Sequence, residues 1–342
     1  MGLAKDYGDT NFVTGMRAYA ALGVVLTHAG GAGLLAFGEI GERLTILGAM
    51  GVQAFFVISG FSVCHSLARS ATVGQYLVKR LFRLLPPYYL ALLAYGIPAG
   101  ASAENLVAHF ALIDWLWPEF SNRLIGVEWT IPVEAFWYFL VPGMLAIATR
   151  GPVQSLAIVT VAFLSVHPLY VAARLLGMER ELFFHSPFAS AFPFAIGVAA
   201  YVLRRHFPPS SNSVATAAIG FAVLLLAAHA AFGVGSPPMV AILATGTVII
   251  FGRREAAVIR VLLLNPLVVL IGTVSYSVYL VHIGVLAQTQ VYFSNPLLVF
   301  IVVSTASVIV SCVTYVLIER PSVRLGYVFV RVLQRRSLRA VS

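Results

Sequence analysis

Residues 131–149 read IPVEAFWYFLVPGMLAIAT, nineteen positions with a single charged side chain, Glu134. A helix of that length rises about 28 Å, close to the ~30 Å of a bilayer's hydrocarbon core. Similar apolar runs recur over 12–36, 46–67, 84–101, 131–149, 153–173, 188–203, 213–232, 238–252, 266–288 and 296–318. The chain therefore reads as an all-α polytopic membrane protein with about ten transmembrane helices. Its composition agrees: 60% of residues are hydrophobic, 10% are charged, and mean hydropathy is +0.91. Soluble domains carry ~25% charged residues, so a soluble enzyme and a disordered chain are both excluded. Cys64 and Cys312 lie inside apolar runs, which excludes a disulfide scaffold. An outer-membrane barrel would alternate in ~10-residue segments, and these runs are longer and solidly apolar.

The net charge of +9 suits nucleic acid only until the basic residues are located. With the N-terminus in the cytoplasm and sides alternating, 17 of the 22 basic residues fall inside, from Lys5 through Arg69, Lys79, Arg80 and Arg83 to the tail beyond Arg320. That bias predicts both termini cytoplasmic, an even number of spans and no nucleic-acid partner. The polar residues 1–11 do not resemble a cleaved leader. The expected organisation is one membrane-embedded domain over 1–342, with its core at 12–321 and a basic cytoplasmic tail at 322–342 lying on anionic lipid. The longest loop, 102–130, is expected outside, with Trp115, Trp117 and Trp129 at the interface.

Ionisable groups in hydrocarbon are costly and usually face an interior cavity. Arg17 and His28 share the first span, eleven residues apart, hence on one face and separated by ~16 Å. A snorkelling arginine and a histidine joining two helices would look the same. Glu134 is the acidic residue of the fourth span. It either complements the helix dipole or orients His28. Arg80 and Arg83 form an i, i+3 fork suited to phosphates, though such a cluster also follows from topology alone. Ser59-Gly60 permits close backbone approach, for packing or for a thin ligand. Tyr276, Tyr279 and His282 lie along one stripe of the ninth span, which packing alone would explain. No Cys, His and acid cluster has metal-ligand spacing.

Four blocks, in order, carry a resemblance: Met16-Arg17-Ala18-Tyr19 running to His28, Gly51 to Phe61, Arg80 and Arg83 followed by Leu84-Leu85-Pro86-Pro87-Tyr88, and Trp129 to Tyr138. Ser275 to His282 and Glu319-Arg320-Pro321 add to it. The ordered set resembles acyltransferase family 3, integral membrane enzymes that move acyl groups, commonly acetyl, onto sugar hydroxyls. Two departures stand out. Ala18 replaces a frequent glycine, and Ala135 replaces a frequent second glutamate, leaving Glu134 as the sole carboxylate of its block.

The resemblance implies acyl-CoA (acetyl-CoA) as co-substrate with no bound cofactor, a glycan or other hydroxyl-bearing acceptor, and residence in a bacterial inner membrane. It implies catalytic roles for His28 and Glu134. Arg17, Arg80, Arg83 and Ser59 would hold the donor, with Trp129, Tyr138, Tyr276, Tyr279 and His282 supporting the site or the acceptor. His28 then serves as general base on the hydroxyl, or forms an acyl-histidine. The donor is expected from the cytoplasm and the acceptor from outside, beside the 102–130 loop. A transporter or flippase of a polar lipid or glycan is the competing class. Many spans and buried charges suit it, but the two-half repeat common in transporters is missing.

Overall fold

The computed structural model describes residues 11–206 and 212–339, so Lys5 and the rest of the N-terminal segment lie outside the described residues. Among those described the chain is helical, without strands. The helices are α1 (Asn11–His28), α2 (Gly38–Ala49), α3 (Gly51–Ala68), α4 (Val73–Gly96), α5 (Ala103–Phe110), α6 (Thr130–Ala148), α7 (Pro152–Leu175), α8 (Arg180–Phe184), α9 (Ala191–His206), α10 (Asn212–Phe232), α11 (Pro237–Phe251), α12 (Ala257–Leu263), α13 (Pro266–Thr273), α14 (Ser275–Tyr292), α15 (Pro296–Thr314) and α16 (Arg320–Arg339).

Helix starts follow local chemistry. The Asn265 and Asn295 side chains accept from the backbone N–H groups of Leu267 and Leu298 at 2.9 and 3.1 Å. Each is followed by a proline at the first helical position, where a missing N–H costs nothing. Several of these helices turn apolar side chains outward. α7, of mean hydropathy 2.0, leaves Val153, Val161 and Leu164 at 74%, 66% and 62% exposure. A helix apolar all round with one side uncovered is stable against lipid and not against water.

Each expected span coincides with a helix, but length and apolarity qualify six helical stretches among the described residues, or seven if α13 and α14 form one bent span. The difference has physical causes. α11 has only 15 residues, while α1 and α4 carry Arg17 and the Lys79–Arg83 cluster inside the helix. Three boundaries also move. α1 stops at His28, because Gly30, Gly31 and Gly33 take positive φ values of 72°, 67° and 84° that glycine adopts at no steric cost. α4 begins at Val73, so Arg80 and Arg83 sit two turns or more inside it and not ahead of it. The 266–288 stretch bends by 74° at Val274. There Thr273 and Ser275 return their hydroxyls to the carbonyls of Val269 and Gly272, at 2.7 and 2.9 Å. Such back-bonding bends helices.

α3 is the hub, packed by α1, α6, α9 and α11. It crosses α9 at Gly60 and Gly197, where a Cβ would lie 2.5 Å from the Phe194 oxygen and 2.2 Å from the Val57 oxygen. Gly60 thus serves packing, while its neighbour Ser59 faces the other way, into the space between α1, α4, α6 and α14. Arg204 does not hang in a loop. It is 6% exposed, and its guanidinium donates to the Ile249 and Gly252 carbonyls at 2.6 and 2.7 Å, closing the C-terminal end of α11.

Candidate active site

A cavity opens between α1, α3, α4, α6 and α14. It is lined by Arg17, Ser59, Arg80, Arg83, Glu134, Tyr138, Tyr276 and Tyr279, together with Val52, Phe55, Phe56 and Leu84. Eight residues singled out from the sequence thus line one cavity. Two arginines are fixed by α3: Arg17 donates to the Ser62 hydroxyl at 3.0 Å and Arg80 to the Ser62 carbonyl at 2.8 Å. Pro86 and Pro87 lie inside α4 and remove the amide donors that the carbonyls of Phe82 and Arg83 would otherwise receive. One residue on, the Leu84 carbonyl accepts the Tyr276 hydroxyl at 2.7 Å, which ties α14 to α4.

Glu134 accepts both the Ser59 hydroxyl at 2.5 Å and the Tyr138 hydroxyl at 2.7 Å on its Oε1. It lines the same cavity as Arg17 and Arg80. The expected pairing of Glu134 with His28 is therefore not what forms: the carboxylate belongs to the arginine cavity. Nor is it the sole carboxylate near these arginines. Glu319, 2% exposed, lies 3.9 Å from the Arg83 guanidinium and accepts the Ser277 hydroxyl at 3.2 Å. It occupies a single π-helical stretch, Tyr315–Glu319, between α15 and α16. Its adjacency to Arg320 makes it read as the start of a polar tail, and only the wider π turn brings it inward.

His28 lies at the other end of α1 from Arg17, outside this cavity, where it borders a separate cleft with Gly30, Gln290 and Ser294. Its partner is His282: Nδ1 of His28 stands 3.0 Å from Nε2 of His282. Nδ1 of His282 faces the carbonyls of Tyr279 and Val278 at 2.8 and 3.2 Å. Carbonyls only accept, so His282 bears its hydrogen on Nδ1 and accepts through Nε2. In the neutral pair the shared hydrogen then belongs to His28 Nδ1, and the lone pair left over is on His28 Nε2. His282 is wholly buried. The Tyr279 ring, 5.9 Å from it, also lines the arginine cavity with Phe55 beside it, so Tyr279 links the histidine pair to that cavity.

Trp129 stands outside the cavity lining. It stacks on His185 at 4.8 Å and meets Phe56 edge-on, which positions the start of α6 and hence Glu134. The loop ahead of it holds a cluster without a counterpart in the sequence reading. Glu128 accepts the backbone N–H groups of Leu124, Gly126 and Val127 at 2.7, 2.6 and 3.0 Å. His109 Nε2 lies 3.6 Å from Glu128 and 3.8 Å from Asp114, all three fully buried.

Burial pushes the Asp114 carboxyl up to about 6. For His109 and Glu128, burial is the largest influence and opposes the charge, but their mutual attraction together with Asp114 and the backbone hydrogen bonds outweighs it, raising the histidine and lowering the carboxyl. A lowered acid contributes stability above its ordinary 4.5, and a raised histidine contributes below its ordinary 6.5. Asp114 works the other way: its raised carboxyl costs stability progressively as pH climbs from its ordinary 3.8 to about 6. The loop is therefore expected to hold best near about pH 4.5 and to weaken as pH rises toward 6 and beyond. Glu128→Gln should cost about 3 kcal/mol by orphaning buried donors, read as a lower midpoint of thermal unfolding in detergent.

Comparison with known proteins fits this geometry. The chain is 27% identical over 311 residues to acyltransferase MdmB of Streptomyces mycarofaciens, covering 80% of this chain and 78% of that protein. It is 26% identical over 309 residues to the exopolysaccharide production protein ExoZ of Rhizobium meliloti (strain 1021), covering 84% and 93%. Nodulation protein 10 of Rhizobium leguminosarum bv. viciae is 27% identical over 197 residues, covering 48% and 52%. No solved structure matches significantly. The family model described as an acyltransferase domain matches residues 10–316, nearly the whole chain, and the protein belongs to acyltransferase family 3.

Proposed function

We propose that this acyltransferase moves an acyl group, commonly acetyl, from acyl-CoA to a hydroxyl of a carbohydrate, at a bacterial inner membrane. One observation carries the reading. Three guanidinium groups converge in a cavity at one end of the helix whose other end carries a base-competent histidine. Guanidinium forks suit the phosphates of a nucleotide donor. The ~16 Å along α1 from Arg17 to His28 is of the order of a pantetheine arm. The positive-inside bias puts the arginine end in the cytoplasm, where acyl-CoA is made. The printed name of the exopolysaccharide relative supports a glycan acceptor.

In the transfer, His28 Nε2 takes the hydroxyl proton as the oxygen bonds to the thioester carbonyl carbon. The C–S bond then breaks, and the proton passes to the departing thiolate. His282 holds the His28 ring in the tautomer that leaves Nε2 free. Glu134 serves the donor side, fixing Ser59 and Tyr138 among the arginines. The chain forms one membrane domain, with both termini in the cytoplasm. The test is thiol release from acetyl-CoA by purified protein, measured with and without methyl glycosides. Glycoside-dependent release with a mass gain of one acetyl group supports the proposal, and release that ignores the glycoside overturns it. His282→Leu is expected to lower kcat by about 10²-fold with donor KM unchanged. His282→Gln, which still offers an acceptor, should recover most of that loss.

A further inference from the structure

The cleft at the far end of α1 has the opposite character from the arginine cavity. It holds about 310 Å³ and lies between the end of α1, the end of α14 and the start of α15. Small-molecule sites occupy ~300–1,000 Å³. Its lining holds no Lys, Arg, Asp or Glu. The polar groups are the Gln290 amide and the Ser294 hydroxyl, both able to donate and accept, the backbone at Gly30, and the His28 ring. Phe293, 39% exposed, adds a flat apolar face. An anion would find no countercharge here, whereas a neutral ring bearing several hydroxyls would find paired donors and acceptors with an apolar surface beside them. None of the residues of the 102–130 loop lines this cleft, so the entry expected beside that loop is not where His28 meets open space.

We propose that this cleft is the acceptor subsite, and that it seats one uncharged sugar unit with a single hydroxyl presented to His28. The open mouth lets the remainder of a longer glycan continue into solvent. The inference rests on the acyl-transfer reading and names its acceptor site. Gln290 and Ser294 set which hydroxyl is presented, and Phe293 sets which face of the ring lies down.

The test uses the full-length protein with Cys312→Ser, since Cys64 is buried. Ser294→Cys is labelled with an anionic methanethiosulfonate, and Val291→Cys, 72% exposed one turn back, is the control. Methyl glucoside or methyl galactoside is expected to slow labelling at 294 by about threefold and to leave 291 unaffected, while glycerol 3-phosphate does neither. Gln290→Ala should raise the KM for the same glycoside by about tenfold with acetyl-CoA KM unchanged. No protection by either glycoside, or equal protection by glycerol 3-phosphate, overturns the subsite. Protection without any acetyl transfer keeps the subsite and overturns the acyl-transfer reading. Transfer that persists with Gln290→Ala silent and 294 unprotected does the reverse.

Discussion

Replacing His28 with alanine is expected to abolish acetyl transfer, a loss of ~10²–10⁴-fold in kcat if water partly substitutes for the base. The His28 side chain pairs with His282, 254 residues away, and lines an open cleft. Its removal therefore leaves the helix packing intact, and the variant should insert and purify as the parent does. Fluorescence-detected gel filtration checks the fold, and single-turnover thiol release checks the chemistry. Parental turnover by His28→Ala would exclude both the general-base and the acyl-histidine routes. The two routes separate on the intact mass of the protein after acetyl-CoA alone, since only the covalent one adds an acetyl group to the chain.

The second large effect lies on the donor side. Arg80→Ala with Arg83→Ala removes two of the three cations that line the inner cavity. Each charge-assisted contact is worth ~1.5–3 kcal/mol, so donor KM is expected to rise by about 10²-fold or more while the acceptor KM stays within twofold. Arg83 carries a complication. Its Glu319 neighbour, 2% exposed, would be left without a cation, and breaking a buried pair from one side destabilises. The single variant Arg80→Ala avoids this, because Arg80 donates to a backbone carbonyl and leaves no buried acid behind. Unchanged donor dependence in that variant would remove the phosphate-anchoring role.

Much of this arrangement is legible in the chain because membranes make charge conspicuous. Arg17, Arg80, Arg83 and Glu134 stand out against apolar neighbours, and each lines the one cavity. The same charges hid their helices. α1 and α4 are diluted by the groups that make them useful, so a strict measure of apolarity passes over both. Partners across the fold were not legible. The sequence left Glu134 free to orient His28, since rise per residue fixes a level along a helix and not a bearing around it. The His28–His282 contact joins two helices whose mutual angle depends on the 74° bend at Val274, which no local motif announces. Buried His109 lacked a visible partner because Asp114 and Glu128 sit in irregular backbone that periodicity does not order.

The π-helical stretch at Tyr315–Glu319 sets more than the aim of one carboxylate. A helix advances about 100° per residue, so one surplus residue fixes the rotational phase of everything downstream. In that phase Phe329 stacks on Phe82 and Tyr327 lies under Lys79, which clasps the terminal helix to the stretch of α4 that bears the arginine fork. Shortening this stretch by a single residue would turn the terminal helix by that same angle and present a different stripe to its neighbour. A one-codon deletion there would thus detune substrate capture without altering any residue that substrate touches.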